Sequence, residues 1–193
     1  MLHITKGNPW IFWPSNICDT FPEYPANKYL TGNSDFKIEL ELVLLDESDE
    51  QKTLFCLLPH FTGIDIYKDK IVFILSLENG VKYIELPKVI DINRKTSVKL
   101  VHKALSSFTL YINDILMVTE DLTSNKFLVE AEPHLIFGAG NFPKNGYNLN
   151  YTEYNLIDFK VYTDELICHH TFDEFIMDKS VDKTDNCNFI NKI

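Results

Sequence analysis

Paired carboxylates are the first chemistry to look for in this sequence. Glu39 and Glu41 stand two apart inside FKIELELVLL, and alternate residues of a strand share a face. Two acids flanking one bond can cleave a glycoside, one as general acid and the other as nucleophile or base. No third acid follows at a spacing that completes such a set, and the wet side of a sheet accounts for both. The dense acidic run DESDE, residues 46–50, falls between apolar segments and reads as a solvated loop. His169 and His170 are adjacent; neighbours on a strand point to opposite faces, so a regular strand cannot bring both to one ion. Cys18, Cys56, Cys168 and Cys187 lie far apart with no C-x-x-C pair, which removes the close ligand pairs of a zinc site. Cys56, inside LFCLL, reads as a buried thiol; a Cys168–Cys187 bond would require an oxidising compartment. No catalytic set emerges, and the expectation is a protein that is not an enzyme, with no cofactor.

Binding chemistry is better represented. The segment GNFPKNGYNLNYTEYN, residues 140–155, interleaves Phe142, Tyr147, Tyr151 and Tyr154 with Asn141, Asn145, Asn148 and Asn150. Sugars present apolar ring faces beside fixed hydroxyls, which aromatic rings and amides suit. The same composition suits a protein interface, where tyrosine is enriched, or a loop whose tyrosines merely cover the end of a domain. Asn150-Tyr151-Thr152 matches a glycosylation sequon and reads as accidental in a chain without a secretory start.

Composition bounds the partners. Eighteen basic residues against 28 acidic give a net charge of −10, and Arg94 is the single arginine. A phosphate-backbone binder concentrates Lys and Arg on one face, so nucleic acid is not expected, nor is an anionic membrane surface. Apolar runs such as residues 71–77 are too short to span a bilayer. The start MLHITKGNPWIFWPSN lacks the cationic and apolar regions of a secretory signal, so the expectation is cytoplasmic synthesis.

The elements that must position these residues follow from period two. Phe36, Ile38, Leu40, Leu42 and Leu44 alternate with Lys37, Glu39 and Glu41, a half-buried antiparallel strand. Further strands are read at residues 53–58, 64–67, 71–77, 81–86, 98–102, 108–112, 115–119, 134–137, 155–162 and 165–172. Asn79-Gly80 reads as a type I′ hairpin turn, and Asn113-Asp114 as a second turn through left-handed backbone. In residues 155–162 the inward set is Ile157, Phe159 and Val161. Helical periodicity is absent apart from a single turn at 172–177, so the fold class is all-β, a two-sheet antiparallel sandwich. Residues 1–29 carry four of the eight prolines and both tryptophans. Pro9, Pro14, Pro22 and Pro25 hinder sheet pairing, so this segment reads as an extended arm packed on the domain, with Trp10, Phe12 and Trp13 as contact candidates. The domain proper is residues 30–175, and residues 176–193 form a polar tail.

Four stretches resemble a known family: FKIELELVLL, SVKLVHKALSSFTLYINDILMVTEDL, HLIFGAG and NLIDFKVYTDELICHHTFDEF. Their order is similar to that of laminin-G-like domains of the concanavalin A-like lectin/glucanase superfamily, with Asp114 where the turn glycine usually stands. The resemblance implies a jelly roll of two curved sheets. The superfamily holds lectins, glycan hydrolases and lyases, adhesion modules and virion components, so fold alone does not settle activity. Its hydrolases commonly carry E-x-D-x-x-E on one strand, which is absent here, and a lyase would want more than the lone Arg94. Many members bind calcium at the rim; Asp65, Asp69 and Asp114 lie near turns, and no ligand pattern selects them. The tail SVDKTDNCNFINKI faintly resembles closing segments of laminin-G-like proteins on bacteriophage particles. Together these imply a non-catalytic lectin-like protein, associated with a virion, acting through contacts with other protein chains and a surface glycan. A soluble carbohydrate-binding module is the alternative.

Overall fold

The computed structural model describes residues 2–4, 10–13, 32–46, 51–58, 62–128, 134–138, 152–164, 166–170, 175–176, 179–180 and 188–191. Among them are sixteen strands and no helix: β1 (Leu2–Ile4), β2 (Trp10–Trp13), β3 (Phe36–Leu44), β4 (Lys52–Leu58), β5 (Thr62–Ile66), β6 (Lys70–Leu77), β7 (Gly80–Pro87), β8 (Lys95–Lys103), β9 (Ser107–Ile112), β10 (Ile115–Asp121), β11 (His134–Phe137), β12 (Tyr154–Tyr162), β13 (Leu166–His170), β14 (Phe175–Ile176), β15 (Lys179–Ser180) and β16 (Asn188–Asn191). One sheet runs β1-β12-β3-β8-β9-β10, with β13 also on β12; the other runs β14-β15-β16-β2-β11-β4-β5-β6-β7. All ladders between these strands are antiparallel.

Period two decides which face each strand buries. In β3 every second residue from Phe36 to Leu44 is buried and the lysine and glutamates between them are half-exposed. β8 repeats the pattern with Thr96, Val98, Leu100 and His102 inward. The opposing sheet contributes Phe55, Leu57, Ile64, Ile66, Ile71, Phe73 and Leu75 to the same core. Aromatic rings cross between the sheets: Phe73 meets Phe108 edge-on at 5.7 Å, and Phe137 meets Phe159 edge-on at 5.2 Å. Such pairs add to the area they bury.

Two local expectations shift by one residue. The β6–β7 hairpin turns on Glu78-Asn79, because Gly80 is already paired with Leu77. Gly80 takes the positive φ of +125° at the strand's first position, so the turn is not the type I′ expected at Asn79-Gly80. In β12 a bulge between Leu156 and Asp158 resets the phase. Tyr154, Leu156, Phe159 and Val161 point inward, and Ile157 is only half-buried. At Asn113-Asp114 the expectation holds: φ is +51° and +62°, the mirror-image geometry whose twist matches the flanking strands.

The terminal segments, where described, are strands within the sheets and not arms laid over them. β2 is hydrogen-bonded to β11 on one side and to β16 on the other, and β1 borders β12. Prolines flank β2 without entering it, so none of its ladder donors is lost. At the opposite side of the sandwich the edge strands β7 and β10 are joined by Lys82–Glu120 at 2.6 Å.

His102 is fully buried among Phe36, Phe108 and Phe127, with ring centroids 4.8, 5.4 and 5.2 Å away. Its Nδ1 donates to Ser34 O at 2.8 Å, and Nε2 has no partner. Burial holds the ring's pKa below the usual 6.5, against the opposing pull of Ser34 O and the Asp35 charge. The unfolded chain therefore takes up a proton at about pH 6.5 that the folded chain refuses until lower pH. Stability attributable to this histidine is complete above pH 6.5 and is lost as pH falls from there through the folded value. Urea midpoints measured between about pH 7 and 5 should fall with pH, and His102→Leu should flatten that slope. Packing gives a second expectation. A Cβ on Gly63 would lie 2.3 Å from Phe55 O, a backbone atom that cannot move aside, so Gly63→Ala should cost roughly 1–3 kcal/mol in chemical denaturation.

Candidate functional site: the loop end of the sandwich

One end of the sandwich collects the chain's most polar connections. The ends of β3, β5, β7, β9 and β11 and the starts of β4, β6, β8, β10 and β12 lie there, as their registers require. Residues 88–94 cross this end from β7 to β8 and are pinned to β3: Ile92 bridges Leu44, and Asn93 N donates to Leu44 O at 2.8 Å. Asn93 adopts φ +59°, a left-handed conformation that asparagine tolerates better than most residues.

The roots of the 140–155 loop close onto the same end. Gly138 N donates to Leu54 O at 2.9 Å, and Thr152 N donates to Gly138 O at 3.2 Å. Leu45 N donates to Glu153 O at 3.0 Å. The Tyr154 hydroxyl donates to Leu54 O at 2.8 Å.

At the same end, between the 88–94 crossing and the Asn113-Asp114 turn, lies an open depression of about 350 Å³, lined by Val89, Asp91, Arg94, Lys95, Thr96 and Asn113. Its walls are fixed by backbone contacts. Ser97 N donates to Asn113 Oδ1 at 3.0 Å, and Asn113 N donates to Ser97 O at 2.9 Å. Arg94 Nη1 meets Asp91 Oδ2 at 3.0 Å, with the two side chains 76% and 65% exposed. Lys95 pairs with Glu41 at 2.6 Å. The depression offers an arginine, a lysine, a carboxylate and an amide beside one aliphatic side chain, with the Thr96 side chain turned into the core.

The sequence candidates divide. Asn141, Phe142, Asn145, Tyr147, Asn148 and Tyr151 lie outside the described residues. Tyr154 is described and is not a contact residue: it is fully buried, and its hydroxyl is spent on Leu54 O. Burial drives that hydroxyl's pKa well up. Trp10, Phe12 and Trp13 lie on β2, whose backbone is paired on both sides. Asp65 is buried, accepts from Thr53 Oγ1 at 2.7 Å and from Gln51 Nε2, and burial raises its pKa. Asp114 faces Lys99 at 3.5 Å, and Asp69 is exposed. Among the described residues no three His, Cys, Asp or Glu side chains group to hold a metal. Glu39 and Glu41 are each engaged by a lysine, Lys37 at 2.8 Å and Lys95 at 2.6 Å. His169 and His170 stand in register with Lys160 and Phe159. Sequence reasoning passed over the 88–96 segment; the signal available was a lone arginine directly after an asparagine, in a connection between two strands.

No family model and no curated protein matches the sequence. Solved structures do match. A protein of Bacteroides ovatus with a proposed carbohydrate-binding role aligns over 98% of this chain and 57% of its own length, at 13% identity and a TM-score of 0.64. The binding domain of botulinum neurotoxin serotype D aligns over 84% of this chain and 42% of its own, at 15% identity and TM-score 0.54. A botulinum neurotoxin type C structure, from a toxin whose cell entry depends on two ganglioside molecules, aligns over 73% of this chain and 34% of its own, at 17% identity and TM-score 0.52. The chain thus spans a little over half of the first of these and less than half of the toxin domains. The likeness establishes the class: an all-β, two-sheet antiparallel sandwich.

Tyr154 separates structure from recognition. Tyr154→Phe should lower stability by about 1 kcal/mol, the worth of one buried hydrogen bond, read from urea unfolding.

Proposed function

We propose that this chain is a non-catalytic carbohydrate-binding module that takes its glycan at the loop end of the sandwich. The observation that carries this reading is that one end of the sandwich holds both the 138–152 roots and an open polar depression set between the 88–94 crossing and the Asn113-Asp114 turn. The fold shared with a proposed carbohydrate-binding protein over 98% of the chain supports it. So does the aromatic and amide content of residues 140–155, in which Phe142, Tyr147 and Tyr151 are the proposed stacking residues and Asn141, Asn145 and Asn148 the proposed hydrogen-bonding ones. Long loops on a rigid scaffold are where binding residues concentrate. The carboxylates Glu39 and Glu41 sit in an alternating-charge face and do not flank a groove, which favours recognition over cleavage.

A second reading draws on exposed apolar side chains. Ile115 and Leu116 on edge strand β10 are 59% and 56% exposed, and Val81 and Tyr83 on edge strand β7 are 45% and 65% exposed. These suit an assembly component that contacts other protein chains, as in a virion.

A glycan array followed by calorimetric titration of the full chain distinguishes the two. Saturable binding of a sugar, reduced at least about tenfold in a Tyr147→Ala/Tyr151→Ala variant that melts like the parent, is the expected result; loss of base-type stacking contacts has that scale in other aromatic sites. Silence across the array, with discrete complexes forming on mixing with partner chains, would instead favour assembly.

A further inference from the structure

We propose that the depression between the 88–94 crossing and the Asn113-Asp114 turn is a subsite for a sugar bearing an anionic substituent, a carboxylate or a sulfate, with Arg94 as its principal contact. The inference rests on the carbohydrate-binding reading and narrows it to a ligand class.

Three features of the depression carry the argument. The first is the state of Arg94. Its guanidinium has five N–H donors in a planar fork, and Asp91 takes one contact, through Nη1 at 3.0 Å. Both side chains are mostly in solvent, at 76% and 65% exposure, and an exposed pair contributes little to the fold. Asp91 therefore occupies the place of a carboxylate that can be exchanged for another at small cost. A ligand carboxylate or sulfate accepting two parallel bonds would use the fork more fully than Asp91 does.

The second feature is rigidity. Asn93 is held to Leu44 O at 2.8 Å, and Asn113 exchanges two bonds with Ser97, at 2.9 and 3.0 Å. Arg94 and the opposite wall are thus anchored to β3 and β8, and little ordering remains to be done on binding.

The third is the surrounding chemistry. A bare anion patch needs only cations. Here about 350 Å³ of open space is bordered by the amide of Asn113 and the aliphatic surface of Val89 as well, while the Thr96 side chain is turned into the core. That volume falls within the range of small-molecule sites, and the donors and acceptors match the hydroxyls of a pyranose ring. Lys95, already bound to Glu41 at 2.6 Å, adds positive charge at the rim. In a chain of net charge −10, Arg94 and Lys95 each already stand beside a carboxylate, Asp91 and Glu41, so attraction of an anionic sugar here depends on its displacing Asp91 from Arg94.

The test is a titration of the full chain, followed by calorimetry and amide NMR shifts, with glucuronate, glucose 6-sulfate, glucose and inorganic sulfate. Glucuronate or glucose 6-sulfate should bind at least about tenfold more tightly than glucose, the scale of one charge-assisted contact, with the advantage shrinking as salt is raised. Which of the two wins identifies the anionic group. Arg94→Gln should erase the advantage, and Arg94→Lys should restore only part of it. Asp91→Asn should strengthen binding of the charged sugar, since it removes the competing carboxylate; a merely structural Arg94–Asp91 pair would not do this. Equal binding of glucose and glucuronate would overturn the proposal, as would an Arg94→Gln variant indistinguishable from the parent. Inorganic sulfate competing as well as the sulfated sugar would also overturn it, reducing the niche to an anion patch. Binding of neutral glycans that is indifferent to Arg94→Gln would sink this inference alone. Failure of every sugar, neutral or charged, would sink the carbohydrate-binding reading with it.

Discussion

The carbonyl of Leu54 holds the loop end together. It accepts from Gly138 N at 2.9 Å and from the Tyr154 hydroxyl at 2.8 Å, so both of its lone pairs are used inside the core. Leu54 and Gly138 belong to one sheet and its adjoining loop; Tyr154 opens β12 in the other. A single oxygen therefore ties the sheets at the point where residues 139–151 leave and re-enter, and Thr152 N closes that exit on Gly138 O at 3.2 Å. Because an unmade bond in this setting would strand a polar group in apolar surroundings, the junction fixes where the loop begins. The position of whatever it presents follows.

Charge is distributed to the same effect. On the outer face of the β12-β3-β8 sheet, lysines and acids neutralise one another along and across strands: Lys37 with Glu39 at 2.8 Å, Lys160 with Asp158 at 2.5 Å, Lys95 with Glu41 at 2.6 Å. Two tyrosines on this face are capped by ammonium groups, Tyr162 by Lys37 at 3.7 Å and Tyr111 by Lys99 at 4.7 Å from the ring centroids. Rings covered in this way are poor platforms for a sugar, since the cation already occupies the electron-rich face. The broad sheet face is committed to itself, and spare donor capacity lies at the end, where among the described residues Arg94 is paired with one exposed carboxylate, Asp91.

Much of this was legible in the residue pattern, and the failures have physical causes. Among the eleven central strands, β3 to β13, those buried on one face announce themselves by alternation, as in Phe36, Ile38, Leu40, Leu42 and Leu44, while β4, β5 and β6, buried more continuously, show as short apolar runs. Asn113-Asp114 was readable because few other residues accept positive φ in succession. The phase of β12 was not: a bulge inserts one residue into the ladder, so an alternation counted through Ile157 comes out one residue wrong. The same insertion hides Tyr154, which reads as part of a polar loop and sits in the core. The terminal strands were missed because they are two to four residues long, and the prolines near β2 argue against pairing only when they lie inside a strand. The Arg94 niche was invisible for a different reason: its members come from a strand connection, a strand start and a hairpin turn, and nothing local to any of them signals that the other two are near.

The sandwich also has to keep its edges from pairing with other chains, and the way it does so limits how it can make contacts. Among the described residues, β7 and β10 each present one edge of backbone N–H and C=O groups with no further strand beside it. On β7 the deterrents are Lys82, Glu85 and Pro87, charges and a missing donor of the kind that blunts natural edges. On β10 the ladder is broken by the bulge between Leu116 and Val118, which twists the strand away from a flat template. Lys82 reaching Glu120 at 2.6 Å then draws the two edges together across the core. Strand addition is opposed at both edges by these means. Ile115 and Leu116, exposed beside the bulge, can meet a partner only through their side chains. A contact of that sort is made by shape and apolar area, and it falls at the start of β10, next to the Asn113-Asp114 turn of the loop end.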